Sequence, residues 1–240
     1  MNITAFKLEY EVCKPAKRQL PVVIVAAGSS ARMNGADKQL LCVAGVPVIA
    51  RTLLAFENCD DISRIILVTR EQSAVEMQKI AEKYAISKLS DIVIGGKTRH
   101  ESVLRGLERL EKAEDKALVS DGARMFVSKR MIHDCANALF DHDGCLCAVK
   151  VNDTVKEVSD GKVSKTVDRT SLYLAQTPQG ITVSLYKKAA SEHDALEFTD
   201  DASVLEAGGY DVAVVEGDIR NIKITTPEDI TLAEIYVKEG

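Results

Sequence analysis

The sequence predicts an α/β protein: a three-layer αβα domain whose mostly parallel sheet is covered on both faces, with a β-hairpin arm protruding from it. Three observations predict this. Apolar β-branched runs alternate with segments of helical period, the helical segments carry their own start signals, and one polar stretch, residues 152–169, interrupts the alternation. In order, Val22–Ala27 reads as a strand, Val48–Phe56 as a helix, Ile65–Thr69 as a strand, Ala74–Tyr84 as a helix and Ile92–Ile94 as a strand. A helix over Ser102–Leu110, a strand at Ala117–Val119, a helix over Lys129–Phe140 and a strand at Cys145–Val151 continue the pattern. Ser128 is placed to cap its helix, and Thr226-Pro227-Glu228-Asp229 puts a cap, a first-turn proline and two acids in sequence.

The interrupting stretch reads as two alternating strands around Ser159-Asp160-Gly161, a hairpin with faces too polar for the main core. Such an arm packs on a partner subunit or covers a site. Beyond it lie an extended segment Ser171–Ile181, a helix over Val183–His193, strands Val212–Val215 and Ile222–Thr225, and a closing helix Pro227–Val237. With no repeat or linker, the 240 residues read as one domain, with residues 152–169 inserted as the arm and residues 1–20 as an N-terminal extension.

Composition narrows the function classes. Apolar residues make up 46% and charged residues 28%, so a core is expected and disorder is not. The apolar runs stop far short of the roughly 20 residues a bilayer needs. A net charge of −5 argues against a nucleic-acid coat; in the first 20 residues the lack of a long apolar run argues against a secretory signal, and the two acids argue against a transit peptide. Six scattered cysteines in a chain this long read as reduced thiols in a cytoplasmic setting. Cys145 and Cys147 lie in a strand-like run without two further ligands of their kind, so they read as buried small side chains rather than a metal site.

The chemistry-bearing residues fall at the carboxyl ends of the expected strands, where open α/β sheets bind ligands. The first strand runs into Ala26-Ala27-Gly28, whose small residues let phosphate approach backbone N–H groups; the cations Arg32 and Lys38 follow. This is neither a dinucleotide fingerprint nor a P-loop, and by itself such a loop is more often a solvated turn. Gly95-Gly96 lies between a strand and a helix, a plain turn or a close approach to a planar base. Asp121 ends the fourth strand with Arg124 after it: a carboxylate for substrate hydroxyls beside an arginine for phosphate, or a pair that only closes the turn.

The run Ala26-Ala27-Gly28-x-x-x-Arg32-Met33 with Lys38-Gln39 resembles the signature loop of sugar-phosphate nucleotidyltransferases, which implies a Rossmann-like sheet domain. Later blocks narrow the resemblance. They are Gly95-Gly96-x-x-Arg99-x-x-Ser102, Asp121-Gly122-Ala123-Arg124, Asp153-Thr154-Val155-Lys156, Thr166-Val167-Asp168-Arg169, Thr177-Pro178-Gln179, Thr199-Asp200-Asp201-Ala202-Ser203 and Asn221-Ile222-Lys223-Ile224-Thr225. In order and spacing, from about Pro21 onward, they are similar to the 2-C-methyl-D-erythritol 4-phosphate cytidylyltransferase family. The resemblance implies cytidylyl transfer from CTP to a polyol phosphate in non-mevalonate isoprenoid biosynthesis, with release of pyrophosphate. It implies catalytic roles for Arg32, Lys38, Arg169 and Lys223, and nucleotide contacts from Ala26, Ala27, Gly28, Gly96, Lys97 and Ser102. Substrate contacts are implied for Asp121, Arg124, Thr154, Thr177 and Thr199. It implies Mg²⁺ or another divalent cation bridging the nucleotide phosphates, with no protein ligand assigned. It also implies an arm exchanged in a homodimer, so that Thr154 and Arg169 would serve the neighbour's site.

The chain departs from the family at Ser30, where a second glycine is usual, and at Ser120 and Met125, where His and Pro are usual. Met125 is expected to loosen the turn after Arg124. Two other readings remain: a ribitol 5-phosphate or other polyol-phosphate cytidylyltransferase, and a degenerate, non-catalytic nucleotide-binding module.

Overall fold

In the computed structural model, the structure describes residues 19–28, 37–112 and 114–239. Its centre is a seven-stranded sheet. β1 (Leu20–Val25) lies in the interior, with β4 (Ile62–Thr69) and then β5 (Leu89–Ile94) on one side. On the other side come β6 (Lys116–Asp121), β10 (Tyr173–Thr182), β7 (Gly144–Lys150) and β11 (Val212–Glu216). β10 is antiparallel to both neighbours, and the remaining pairs are parallel.

The strand sequences explain why helices cover both faces. Successive side chains point to opposite sides of a sheet. Val22 and Ile24 of β1, Ile65 and Leu67 of β4, and Leu118 of β6 enter one core. They meet α1 (Val48–Glu57), α2 (Ala74–Lys83) and α4 (Lys129–Asp141) through Leu53, Phe56, Met77, Ile132 and Leu139. Val23, Val25, Ile66, Val68 and Val119 enter the other, against α3 (Arg99–Leu107), α5 (Val183–Glu192) and α6 (Asp201–Ala207). A fully buried Leu, Ile or Phe contributes about 1.5–3 kcal/mol, so this two-sided burial dominates the fold's stability. Cys145 and Cys147 are both buried in the first core as free thiols, with Cys135 Sγ 3.3 Å from Cys147 Sγ.

The helix start at α3 bears on the site. Its N-cap is Thr98, which accepts from the Glu101 N–H, so the helix begins at Arg99 and ends at Leu107 rather than spanning 102–110. Gly106 lets it lie close to the sheet: a Cβ there would stand 2.5 Å from Val23 Cγ1. Ser128 caps α4 through the Met131 N–H as its sequence indicates, and α7 (Pro227–Glu239) starts at the proline.

Residues 152–169 form a separate ribbon of β8 (Val155–Ser159) and β9 (Lys162–Val167). Its turn, Asp160-Gly161, has φ values of +51° and +74°, the pair of positive angles a two-residue hairpin requires. Beyond the bounds of α3, three features differ from the sequence expectation. Residues 221–225 are irregular rather than a strand: among the described residues one backbone–backbone bond, the Ile224 N–H donating to Ala123 O, links them to the β6 exit, while Ile224 itself is buried with Val43, Val48, Ala123, Met125 and Ala233. That same cluster packs Met125, so the turn after Arg124 is anchored, not loosened. The small ribbon of β2 (Cys42–Val43) and β3 (Val46–Pro47) and the seven-residue α6 were not expected; both are too short for periodicity to reveal. Among the described residues no helix is long and apolar enough to cross a membrane.

Candidate active site

A cleft of about 290 Å³ opens where β1 and β6 end and α3 begins. Ala27, Gly28, Lys38 and Gln39 line one side, Gly96, Lys97, Arg99 and Ser102 another, with Asp121 and Lys223 between them. The strand order explains the place: β1 and β6 are adjacent and parallel, and the backbone of Gly122 crosses to β1 by donating to Val25 O at 2.8 Å.

The α3 side is tightly built. A Cβ on Gly95 would lie 2.5 Å from Ala27 Cβ and 2.8 Å from Ser102 Oγ, and one on Gly96 would collide with Glu101, so close approach requires both glycines. The Gly96 N–H donates to Ser102 Oγ at 3.0 Å and the Lys97 N–H to Glu101 Oε2 at 2.7 Å. Ser102 in turn donates to Thr98 O at 2.9 Å. The turn is therefore held rigid by its own helix. Opposite it, Asp37 pins the chain that carries Lys38. Its carboxylate accepts from the Gln39 N–H at 3.1 Å and the Ser73 hydroxyl at 2.8 Å, and it pairs with Arg70.

Asp121 is the electrostatic centre. Its side chain is 9% exposed, with Lys223 Nζ 2.9 Å from Oδ2, Arg99 Nε 3.3 Å from Oδ1 and Arg124 Nε 3.5 Å from Oδ2. Burial opposes its ionisation, and the charges of Arg99, Lys223 and Arg124 overcome it, holding the carboxyl well below the usual carboxylate range. Thr177 is buried behind it and accepts from the Asp121 N–H at 3.0 Å, with Ser120 Oγ 3.1 Å away. Arg124 donates to Asn221 O at 2.7 Å, and Asn221 donates to Thr177 O at 2.8 Å, which locks the 221–225 segment and presents Lys223 to the cleft.

Of the residues singled out from sequence, Ala27, Gly28, Lys38, Gly96, Lys97, Ser102, Asp121 and Lys223 line this cleft. Ala26 is buried beneath it, 3.1 Å from where a Gly122 Cβ would lie. Arg124 and Thr177 stand behind Asp121 as its support. Thr199 is exposed just before α6. Thr154 and Arg169 are exposed at the base of the arm, where Arg169 bonds to Asn152 O. Arg32 and Ser30 lie outside the described residues. Arg99 and Asp201 were given no role, although both fall inside blocks that carry the resemblance; their pairing joins residues 102 apart.

Among the described residues no cluster of three or more His, Cys, Asp or Glu side chains is placed to hold a metal ion. Among the described residues Asp121 is the one carboxylate lining the cleft, and it is already paired with three cations, so the donor set fits a divalent ion carried on phosphate groups better than one held by protein carboxylates.

Charge and shape suited to phosphates, set at the ends of parallel strands, are the equipment of a nucleotidyltransferase. Comparison with known proteins carries this further. Residues 20–239 match the family model of IspD, 2-C-methyl-D-erythritol 4-phosphate cytidylyltransferase, and the chain belongs to that family. It is 42% identical over 220 residues to the Bacillus licheniformis 2-C-methyl-D-erythritol 4-phosphate cytidylyltransferase, covering 90% of this chain and 95% of that one. Among solved structures it is similar to the 4-diphosphocytidyl-2C-methyl-D-erythritol synthase of Anaerococcus prevotii, with TM-score 0.81, 33% identity and coverage of 92% and 97%. The cytidylyltransferase of Thermus thermophilus matches at TM-score 0.76 and 30% identity, covering 92% and 99%.

Proposed function

We propose that this cleft transfers the cytidylyl group of CTP to 2-C-methyl-D-erythritol 4-phosphate, giving 4-diphosphocytidyl-2-C-methyl-D-erythritol and pyrophosphate. The observation that carries the reading is the single cleft that joins a small-residue phosphate approach and Lys38 to Asp121 and Lys223. An oxygen of the acceptor phosphate attacks the α-phosphorus of CTP; the new P–O bond forms as the bond to the pyrophosphate oxygen breaks. Both partners are anionic, so the protein's work is positioning and charge neutralisation. Lys38 and Arg32 offset charge at the α-phosphate and the leaving pyrophosphate, and Lys223 holds the acceptor phosphate for attack. Asp121 accepts from acceptor hydroxyls, while Arg124 and Thr177 keep it in place. Gly96, Lys97 and Ser102 form the base side of the nucleotide site, with Ala26, Ala27 and Gly28 opposite. Mg²⁺ carried on the triphosphate supplies further charge neutralisation when bound.

The family reading also makes the chain a cytoplasmic homodimer, each protomer one domain with an exchanged arm. In support, the arm is exposed on both strands, carries the uncovered apolar side chains Val158 and Val163, and leaves Thr154 and Arg169 away from the cleft. Mixing Arg169→Ala chains with Lys38→Ala chains is then expected to restore turnover that neither has alone, because each hybrid dimer holds one intact site. No recovery after confirmed subunit exchange would mean that each chain completes its own site.

Pyrophosphate release from CTP with methylerythritol phosphate, compared with ribitol 5-phosphate, tests the reaction. Turnover of the first is expected. Turnover of ribitol 5-phosphate alone would reassign the acceptor, and release with neither would mark a binding module.

A further inference from the structure

Asp201, the first residue of α6, is completely buried, and nothing in the proposed reaction uses it. Its Oδ2 accepts from Arg99 Nη2 at 2.7 Å and its Oδ1 from the Tyr186 hydroxyl at 3.2 Å. Tyr186 is itself 2.9 Å from His100 Nδ1, and since its proton goes to Asp201, the imidazole must donate through Nδ1–H. The backbone N–H groups of Asp201 and Ala202 both donate to Gln179 Oε1, at 2.9 and 2.8 Å, which ties the helix start to β10. The carboxylate is therefore held by two donors, on a backbone that Gln179 anchors.

What it fixes is Arg99. The Nε and Nη2 atoms form one edge of a guanidinium, the edge that grips a single carboxylate through two parallel bonds. Here that edge is divided: Nη2 goes to Asp201 and Nε reaches Asp121 at 3.3 Å. Arg99 thereby offsets the charge of Asp121 while making only one long contact to it, and lone pairs on Oδ1 stay available.

We propose that Asp201 is a positioning residue for the acceptor half of the site, holding Arg99 so that it cannot close on Asp121 in the two-bond grip that acceptor hydroxyls must displace. This rests on the reading of Asp121 as the acceptor-hydroxyl carboxylate. With Asp201 neutralised, Arg99 turns its whole edge to Asp121 and competes with the acceptor. The CTP side, built from Gly28, Lys38 and Gly96, is not part of this competition.

The test is calorimetric binding of CTP, and of 2-C-methyl-D-erythritol 4-phosphate to the chain loaded with a non-hydrolysable CTP analogue. Asp201→Asn is expected to weaken acceptor binding about tenfold, the size of one charge-assisted hydrogen bond, while CTP affinity stays within about twofold. Arg99→Lys keeps the charge but has no two-bond edge to close on Asp121, so its acceptor affinity is expected to stay nearer the wild type than that of Asp201→Asn; because Arg99 lines the cleft beside Lys97 and Ser102, only acceptor binding is read for it. Where Asp201→Asn does not fold, Tyr186→Phe, which removes the donor to Asp201 Oδ1, is expected to give the same split at smaller size. In the double variant the lysine is expected to recover acceptor affinity that Asp201→Asn loses, because the competing grip is gone. Equal losses for the two ligands in Asp201→Asn, unchanged acceptor affinity there, or a double variant that recovers nothing would overturn the proposal and leave Asp201 a structural residue of α6. A wild-type chain that binds the acceptor but releases no pyrophosphate counts against the reaction instead, and one that binds no acceptor at all counts against both.

Discussion

Replacing Lys38 by alanine is expected to lower turnover at least a hundredfold without disturbing the fold. The side chain lines the cleft at the tip of a turn whose backbone is held by its neighbour, through the Leu40 N–H donating to Asp37 O at 2.9 Å and the Asp37 carboxylate bonded to Gln39 N and Ser73 Oγ. Alanine at position 38 leaves every one of these contacts in place. What it removes is a cation aimed at the phosphates whose charge redistributes in the transition state, and one such preorganised group contributes roughly 3–4 kcal/mol, or a factor of 10²–10³. Because that charge is needed most in the transition state, the loss falls on kcat more than on the KM for CTP. Steady-state kinetics beside a thermal melt checks both parts, and unchanged turnover would make Lys38 a surface residue.

Asp121→Asn is expected to abolish acceptor use and to destabilise the fold together. The substitution keeps the shape and removes the one charge that Arg99, Arg124 and Lys223 share. Removing one partner of a buried ion pair costs about 3–5 kcal/mol; here the low end applies, because Lys223, with its side chain 38% exposed, can turn to water and Arg99 keeps Asp201. The pH dependence follows from the depressed carboxyl. Its stabilisation is fully present above the unfolded-state value, near 4, and is lost only as pH falls below that toward the lower native value. Wild-type stability from this group is therefore flat through neutral pH and falls in acid, whereas Asp121→Asn starts lower and shows the shallower acid slope. Denaturant melts from about pH 7 to pH 3 measure this, and parallel slopes would contradict the assigned ion cluster.

The sheet was legible because its strands obey a local rule: β1, β4 and β6 alternate their side chains between two cores, and that demand is written into consecutive residues. The arm was legible from Asp160-Gly161, a turn whose backbone angles few other pairs adopt. Residues 222–225 misled because Ile222 and Ile224 alternate like a strand. Pairing depends on a neighbour, and the neighbour here is a single carbonyl at Ala123.

The site shows the same division. Cleft-lining residues next to strand ends were found because position on the chain predicts position on the sheet edge. The supporting set was not: Asn221 reaches Thr177, and Arg99 reaches Asp201, across 44 and 102 residues, distances over which sequence carries no geometric signal. Thr177 and Arg124, for which substrate contacts are expected, bond to Asp121 N and Asn221 O beside the carboxylate.

A crystal structure with CTP and Mg²⁺ shows whether one cleft seats both reactants. Cytosine is expected against the Gly95-Gly96 turn, with the triphosphate running past Ala27 and Gly28 toward Lys38 and the space beside Asp121 and Lys223 left for the acceptor. A nucleotide bound with its base at Asp121, or outside this cleft altogether, would mean that the cleft does not seat CTP and acceptor together in this way.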